Sequence, residues 1–480
     1  REKSREKSKE KPIRLKTVTI IGHAERITRV SGSAHQVKEE ELEAQNYDDV
    51  HRVLKQVPGV YVRDEDGLGL RPNIGLRGAN SDRSAKVTLM EDGVLMAPAP
   101  YSAPAAYYFP LTTRLTAVEV FKGPASIQYG PQTIGGALNM STRSTPLSGW
   151  VGALDSSYGQ YQTAKVHSYV GWGGDRVGLL IEGINLQSNG FKELDGGGNT
   201  GFNKSELMFK GRLNNDPNAE VFHQVKLKLG WSIESSNETY LGLSQTDFDS
   251  TPYRRYLATE LAEMSWDRLQ GKIDYLLAIG DRWDFKATAY RHQFDRAWEK
   301  MTGFNNSEVS FEDVLADPTS AKHETYYRLL TGEEDTLGDN EKLRLGLNDR
   351  SYLSQGLQLS SNLRAEGEGW GNQLQLGVRL HHDQITRNHS QRLVSIQDKR
   401  LQIDEQSSAL LQNRGETLAI SAYVFDELRL GDRWRLTPGL RAERYETSLA
   451  DRGSTPKREM IGDDFVLLPG MGAWYTLNDH

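Results

Sequence analysis

The stretch Val225-Lys226-Leu227-Lys228-Leu229-Gly230-Trp231-Ser232-Ile233 alternates apolar with polar or small residues at a period of two. Successive side chains of an extended strand point to opposite faces, so this segment has one oily face and one wet face. The same grammar recurs on either side of it. Ala164, Val166, Val170 and Trp172 alternate with Lys165 and His167. Leu374, Leu376, Val378 and Leu380 alternate with Gln373, Gln375, Arg379 and His381, and Trp434, Leu436, Leu440 and Ala442 with Arg435, Thr437, Arg441 and Glu443. From Trp150 onward the pattern predicts about twelve strands, near 150–159, 161–172, 176–187, 203–214, 221–234, 268–279, 282–296, 352–365, 372–386, 416–430, 433–447 and 464–476.

The connections sort into two classes. Tight turns at 173–175, 214–220, 280–282, 366–371 and 431–433 alternate with long polar stretches at 188–202, 235–267, 297–351, 387–415 and 448–463. Transmembrane barrels carry short turns on one rim and long loops on the other, and about ten alternating residues suffice to cross the bilayer. A soluble sandwich accounts for neither the strand lengths nor the loops. Trp172, Trp283 and Trp434 adjoin the tight turns, where an interfacial aromatic girdle belongs. The expected architecture is an antiparallel transmembrane β-barrel whose oily stripes meet lipid and whose wet stripes line a lumen. An unpaired sheet edge is not tolerated in lipid, so more strands than these twelve are expected to close it.

The 480 residues include no Cys, which removes disulfides and thiolate metal sites. A net charge of −7 with 26% charged residues carries no nucleic-acid signature. No run of eighteen apolar residues occurs, so no helical membrane span is expected. No HExxH and no nucleophile elbow is present, and no enzymatic activity is expected. The N-terminal REKSREKSKEKP reads as a charged, disordered arm over 1–15.

Residues 22–146 lack the alternation and read as a small α+β domain. Tyr47, Val50, Leu54 and Val57 make one apolar helical face, with Asn46 the expected N-cap and Pro58-Gly59 the stop. Strands are expected at 60–63, 74–77, 87–90 and 118–121, with Asp92-Gly93 as a hairpin turn into 94–96.

Several runs in this domain are more specific than their composition. They are Val57-Pro58-Gly59-Val60, Gly75-Leu76-Arg77-Gly78, Leu89-Met90-Glu91-Asp92-Gly93, Ala97-Pro98-Ala99-Pro100-Tyr101, Ala117-Val118-Glu119-Val120 and Tyr129-Gly130-Pro131-Gln132-Thr133-Ile134-Gly135-Gly136. In these residues the chain resembles TonB-dependent outer-membrane receptors, and within them the ferric-citrate receptor group. The resemblance implies an α+β plug inside a barrel of about twenty-two strands. It divides the chain into the arm at 1–15, a TonB box at 16–21, the plug at 22–146 and the N-terminal portion of the barrel at 147–480. Thr17, Val18, Thr19 and Ile20 would pair with TonB by β-augmentation, and TonB with its inner-membrane energising complex would drive import. Nothing folded precedes Lys16, so a signalling domain such as some relatives carry is not expected.

The implied activity is active import of a ferric siderophore or ferric citrate-like chelate across the bacterial outer membrane, by a monomer embedded in outer-membrane lipid. The chelate is cargo and no resident cofactor is expected. Receptors for haem or another metal chelate are the alternatives, with a passive porin or adhesin behind them, since neither of those needs a plug. The wet faces carry Lys165, His167, Lys226, Lys228, Lys286, Arg379, His381, Arg435 and Arg441. Most of these are expected to dock the plug through ion pairs, and the excess suits an anionic chelate.

Residue by residue, the resemblance places ligand contacts at Arg77 on the plug and at Arg296 and Arg414 on the barrel. Guanidinium forks hold carboxylates bidentately. For Arg77 a plug–barrel lock is the equal alternative. Tyr101 and Tyr107 either stack on the ligand or brace the apex, and Arg379 and His381 complete the candidate set. Ala103 stands where the group has an apical glutamine. Asp64-Glu65-Asp66 is expected to be a solvated acidic tip, and His381 and His382 point to opposite faces and cannot chelate one ion together.

Overall fold

The structure is a computed structural model that describes residues 33–453 and 458–477. The arm and the TonB box, with Thr17, Val18, Thr19 and Ile20, lie outside the described residues. The first domain runs β1 (Ser33–Lys38), α1 (Glu39–Gln45), α2 (Val50–Lys55), β2 (Val60–Arg63), β3 (Asn73–Leu76), β4 (Val87–Glu91), β5 (Val94–Leu95), β6 (Leu115–Lys122) and β7 (Gly136–Thr142). Five strands form a sheet in the order β1-β6-β7-β4-β5, and β2 and β3 form a separate hairpin. Asp92 and Gly93 both take positive φ, 48° and 76°, which a two-residue turn between β4 and β5 requires.

Asn46 is not the N-cap expected of it. It takes a left-handed conformation (φ 47°) and closes α1, its N–H donating to the Leu42 carbonyl, while Asp49 caps α2 by accepting from the His51 N–H at 2.7 Å. The helix expected from Tyr47 to Val57 therefore begins only at Val50, and the helix that Asn46 closes lies before that spacing.

The second domain continues with β8 (Gly149–Tyr158), β9 (Ala164–Gly173), β10 (Val177–Ser188), β11 (Glu193–Leu194), β12 (Phe202–Asn214), β13 (Val221–Asn237), β14 (Arg254–Arg255), β15 (Glu263–Ile279), β16 (Trp283–Phe304), β17 (Leu343–Gly367), β18 (Trp370–Gln397), β19 (Arg400–Leu430), β20 (Trp434–Asp451) and β21 (Arg458–Tyr475). All but β11 and β14, which pair with each other, belong to one twelve-stranded sheet in sequential order from β8 to β21. Every neighbouring pair in it is antiparallel. Side-chain direction follows the predicted phase. In β13 Val225, Leu229 and Trp231 face outward and are exposed, whereas Gln224, Lys228, Ser232 and Glu234 are buried on the inner face.

The stretches 297–351 and 387–415 were read as long loops, and the structure corrects both. β18 and β19 run to Gln397 and from Arg400, joined only by Asp398 and Lys399, both with positive φ. β16 and β17 likewise extend to Phe304 and from Leu343. Beyond the bilayer both faces of a strand are wet, so pairing persists while the apolar alternation that announces it disappears. The remaining long connections fold on themselves. α3 (Gln245–Ser250) lies between β13 and β15, and α4 (Phe311–Ala316) and α5 (Glu324–Thr331), between β16 and β17, pack around Tyr256, Phe304, Val314, Leu329 and Leu330. Asp247 joins the two loops, accepting from the Tyr256 and Tyr327 hydroxyls, each at 2.6 Å.

The small domain is docked against the inner face of the sheet. Its core is continuous with that face: Tyr107, Tyr108 and Phe109 pack in one cluster with Met264, Trp266, Phe294 and Tyr352. Ion pairs lock the contact. Glu91, paired within its own domain with Arg114 at 2.9 Å, receives Lys228 at 2.8 Å and Arg268 at 3.3 Å from the sheet, and Asp92 receives Lys228 at 2.6 Å and Lys210 at 3.1 Å. Burial opposes ionisation of Glu91, but Lys228, Arg114 and Arg268 outweigh it and hold the carboxyl well below the usual range. Arg71 reaches Glu234 at 2.5 Å and Glu238 at 2.8 Å, and Arg114 pairs with Glu206. Lys165 meets Asp48 at 2.7 Å. Of the nine wet-face cations expected mostly to dock the plug through ion pairs, only Lys165 and Lys228 do so among the described residues. Arg379 and Arg441 donate to plug carbonyls, whereas His167, Lys286, His381 and Arg435 pair with barrel carboxylates, because the inner face carries acids of its own.

Candidate functional site

The segment 97–109 rises to the apex of the plug and meets the barrel twice. At its C-terminal end the Tyr107 ring lies 4.1 Å from the Arg296 guanidinium and 5.4 Å from that of Arg83. Strand register builds a row around it: Trp266 of β15 is opposite Arg296 of β16, Arg296 opposite Arg350 of β17, Arg350 opposite Arg387 of β18, and Arg387 opposite Asn413 of β19. Three arginines thus stand directly across from one another on the inner face, an arrangement that costs stability on its own.

Almost nothing neutralises them. Among the described residues Arg296, Arg350 and Arg387 have no ion-pair partner; Arg350 donates to His389 Nε2 at 3.1 Å and Arg387 to the Asn413 side-chain Oδ1 at 3.1 Å. Arg296 is 1% exposed, and beyond its contact with the Tyr107 hydroxyl none of its three nitrogens makes a well-aligned hydrogen bond; the indole Nε1 atoms of Trp266 and Trp298 are unpaired as well. Lys300 extends the cationic field over Trp298 at 4.3 Å. Burial alone pushes the Tyr107 phenol up, but Arg296, Arg350 and Arg83 outweigh it and hold the phenol below its ordinary value. The patch is rich in donors and short of acceptors, and an anion with several oxygens supplies what it lacks.

Tyr240 walls this patch on its outer side. Its hydroxyl meets Arg83 at 2.8 Å and its ring packs edge-on against Trp298. Beyond it opens a cavity of about 720 Å³ lined by Arg63, Phe191, Lys192, Tyr240, Phe248 and Arg255 among others.

The N-terminal end of the same segment makes the opposite kind of contact. Ala103 N–H donates to the Ala99 carbonyl, and the turn between them presents Tyr101 and Ser102 to the barrel. Asp383 accepts from the Tyr101 N–H at 2.6 Å, the Ser102 N–H at 3.1 Å and the Ser102 hydroxyl. His381 sits 3.3 Å from Asp383 through Nε2 and 2.6 Å from the Tyr290 hydroxyl through Nδ1. Arg379 donates to the Tyr101 hydroxyl at 3.1 Å and to the Gly130 carbonyl. Burial dominates at Tyr101 and, against Arg379, pushes its phenol up.

The structure therefore brings Tyr107 and Arg296 together, and places Tyr101, Arg379 and His381 in a neighbouring network whose groups already have partners. It brings neither Arg77 nor Arg414 to either. Arg77 lies at the foot of the β2–β3 hairpin, where Val60 pairs with Leu76 and the Arg77 N–H donates to the Gly59 carbonyl; the apex is at the other end, where Arg63 pairs with Asn73. Arg414 is on the outer face of β19, paired with Glu416 at 2.7 Å, while its neighbours Asn413 and Gly415 are buried on the inner face. Arg83, Arg350 and Arg387 were not foreseen. Arg350 and Arg387 share the inward phase of Tyr352 and of Arg379, so extending the alternation past the lipid boundary would have found them.

A plug filling the lumen of a large antiparallel sheet with lipid on its outer face defines a gated outer-membrane barrel. Family models described as TonB-dependent Receptor Plug Domain and TonB dependent receptor-like, beta-barrel match residues 26–137 and 214–480. The chain belongs to the TonB-dependent receptor family, whose members reside in the outer membrane and are receptors rather than enzymes. It is 28% identical over 228 residues to an iron-regulated outer membrane virulence protein of Vibrio cholerae, covering 45% of this chain and 33% of that protein. Among solved structures it is similar to the ferric citrate transporter FecA in its unliganded form, with a TM-score of 0.74, 19% identity, and coverage of 95% of this chain and 62% of that one. The ferric yersiniabactin uptake receptor FyuA from Yersinia pestis follows at 0.68 and 14%, covering 94% and 63%. The chain thus spans a third of the curated relatives' length and under two thirds of these solved receptors.

Proposed function

We propose that the protein takes part in TonB-driven import of an anionic, carboxylate-rich ferric chelate, with Tyr107, Arg83, Arg296, Arg350 and Arg387 as the apical contact. In this reading 16–21 is the coupling segment that TonB grips through Thr17, Val18, Thr19 and Ile20, 22–146 is the plug, and 147–480 is the first part of the barrel. The observation that carries it is the buried Arg296 guanidinium, without an ion-pair partner among the described residues, in a row of three arginines. Ionised oxygens would neutralise the row and satisfy donors that the protein leaves open, at about 1.5–3 kcal/mol per charge-assisted hydrogen bond. The iron-regulated relative from Vibrio cholerae and the ferric citrate transporter support an iron chelate as cargo. Tyr101, Arg379 and His381 hold the plug apex in register beside the ligand.

Uptake of radiolabelled ferric citrate, with ferric catecholate and haem as comparisons, tests this in cells expressing the full receptor. Deleting 16–21 should abolish uptake and leave binding intact. Undiminished uptake in that deletion, or equal binding of an uncharged chelate, overturns the reading.

A further inference from the structure

Beneath the loop that joins β2 to β3, three side chains outside the arginine row converge. Asp49 at the cap of α2, His51 in its first turn and Asp64 just past β2 each present a ligand atom within 4.8 Å of the others. His51 is 1% exposed, and neither ring nitrogen has a hydrogen-bond partner. Nδ1 nevertheless lies 3.1 Å from Asp49 Oδ1 and 3.2 Å from Asp64 Oδ1. Neither contact meets hydrogen-bond geometry. A buried imidazole left unpaired is costly, and a hydrogen-bonded imidazolium would draw at least one oxygen onto its N–H axis.

Separations near 3.2 Å are what an imidazole nitrogen and carboxylate oxygens adopt around one ion that each binds at about 2.0–2.2 Å with open, near-tetrahedral angles. We infer that Asp49, His51 and Asp64 bind a divalent first-row transition-metal ion, with water completing its shell. A nitrogen donor beside two carboxylates suits zinc and its neighbours in the row, whereas calcium and magnesium take oxygen ligands. Lys55 engages Asp64 through Oδ2 at 3.0 Å, which leaves Oδ1 for the ion. The other two acids of the tip are already engaged. Glu65 pairs with Arg83, and Asp66 accepts from the backbone of Leu68, Leu70 and Arg71. The ion would tie α2 to the apical loop that carries Arg71 to the barrel. This site is separate from the arginine row and stands whether or not the proposed cargo is right.

The test uses the purified full receptor in detergent, stripped with a chelator and given no ferric ligand. Titration with Zn²⁺ by calorimetry should give one equivalent with Kd in roughly the micromolar range, and Co²⁺ should produce visible d–d absorption. His51→Ala and Asp64→Asn should each weaken binding about tenfold or more. Asp64 is 52% exposed, so its substitution leaves folding intact and keeps the test decisive if His51→Ala misassembles. Absence of binding below about 100 μM, or one equivalent that survives Asp64→Asn, overturns the assignment.

Discussion

Tyr101 and Tyr107 lie six residues apart on one apical segment, and the barrel treats them in opposite ways. Around Tyr101 each charge has a partner: Asp383 collects the loop's donors, and Arg379 takes the phenol and a carbonyl. Around Tyr107 only Arg83 has a carboxylate partner, Glu65, and the row of Arg296, Arg350 and Arg387 has none among the described residues. Their phenols are displaced in opposite directions accordingly, Tyr101 upward and Tyr107 downward. A contact that only holds two domains together satisfies its polar groups; one that leaves buried donors open sacrifices stability for something not yet bound. The first is an anchor and the second a receptor surface.

That distinction breaks most readily at the arginines. The double substitution Arg296→Ala and Arg350→Ala removes two charge-assisted contacts worth about 1.5–3 kcal/mol each, so ferric citrate affinity should fall by about 100-fold or more. Quenching of Trp298 fluorescence on titration measures it. The melting temperature should hold or rise, because Arg350 faces Arg296 on one side and Arg387 on the other. Asp383→Ala should do the reverse. Losing a buried charge that receives the Tyr101 and Ser102 amides should destabilise plug docking by about 3–5 kcal/mol, read as protease sensitivity of the plug in urea, while chelate affinity changes by less than about threefold.

Glu119 touches neither contact and serves as the control. It is buried between β1, β6 and β7, hydrogen-bonded by Asn139 at 2.8 Å, and burial pushes it up to about 7. The folded sheet therefore keeps a proton that an exposed glutamate loses near 4.5. Plug stability should be full below that value, fall by about 3 kcal/mol as pH rises to about 7, and stay level above it. Urea midpoints at pH 5 and pH 8 check the slope, and Glu119→Gln should flatten it. The smallest effect is expected at Tyr107 itself. Tyr107→Phe keeps the ring under Arg296 and should alter affinity less than about twofold, whereas Tyr107→Ala should cost about fivefold.

Much of this was legible because lipid and water impose different chemistry on the two faces of one strand. Val225 to Ile233 announces both its direction and its environment, and the inner phase of Lys228, Arg379 and Arg441 follows from it. The signal fails where that contrast ends. From 387 to 415 both faces are wet, so two long strands read as a loop and Arg387 was hidden with them. The same phase rule, carried past that point, puts Asn413 inward and turns Arg414 away from the lumen. Arg83 gave no periodic sign. It sits at φ 47° between strands, and only the contact of its carbonyl with the Ala106 N–H and of its guanidinium with Tyr240 places it at the apex.

The tall hairpin of β18 and β19 has a practical use. Twenty-eight residues in β18, at about 3.3 Å each and tilted by about 40°, climb roughly 70 Å against an apolar band of about 25 Å. The turn at Asp398 and Lys399 therefore stands tens of ångströms clear of the lipid. An epitope tag spliced there would be open to antibody on intact cells, giving a count of correctly inserted molecules that is independent of anything passing through the pore.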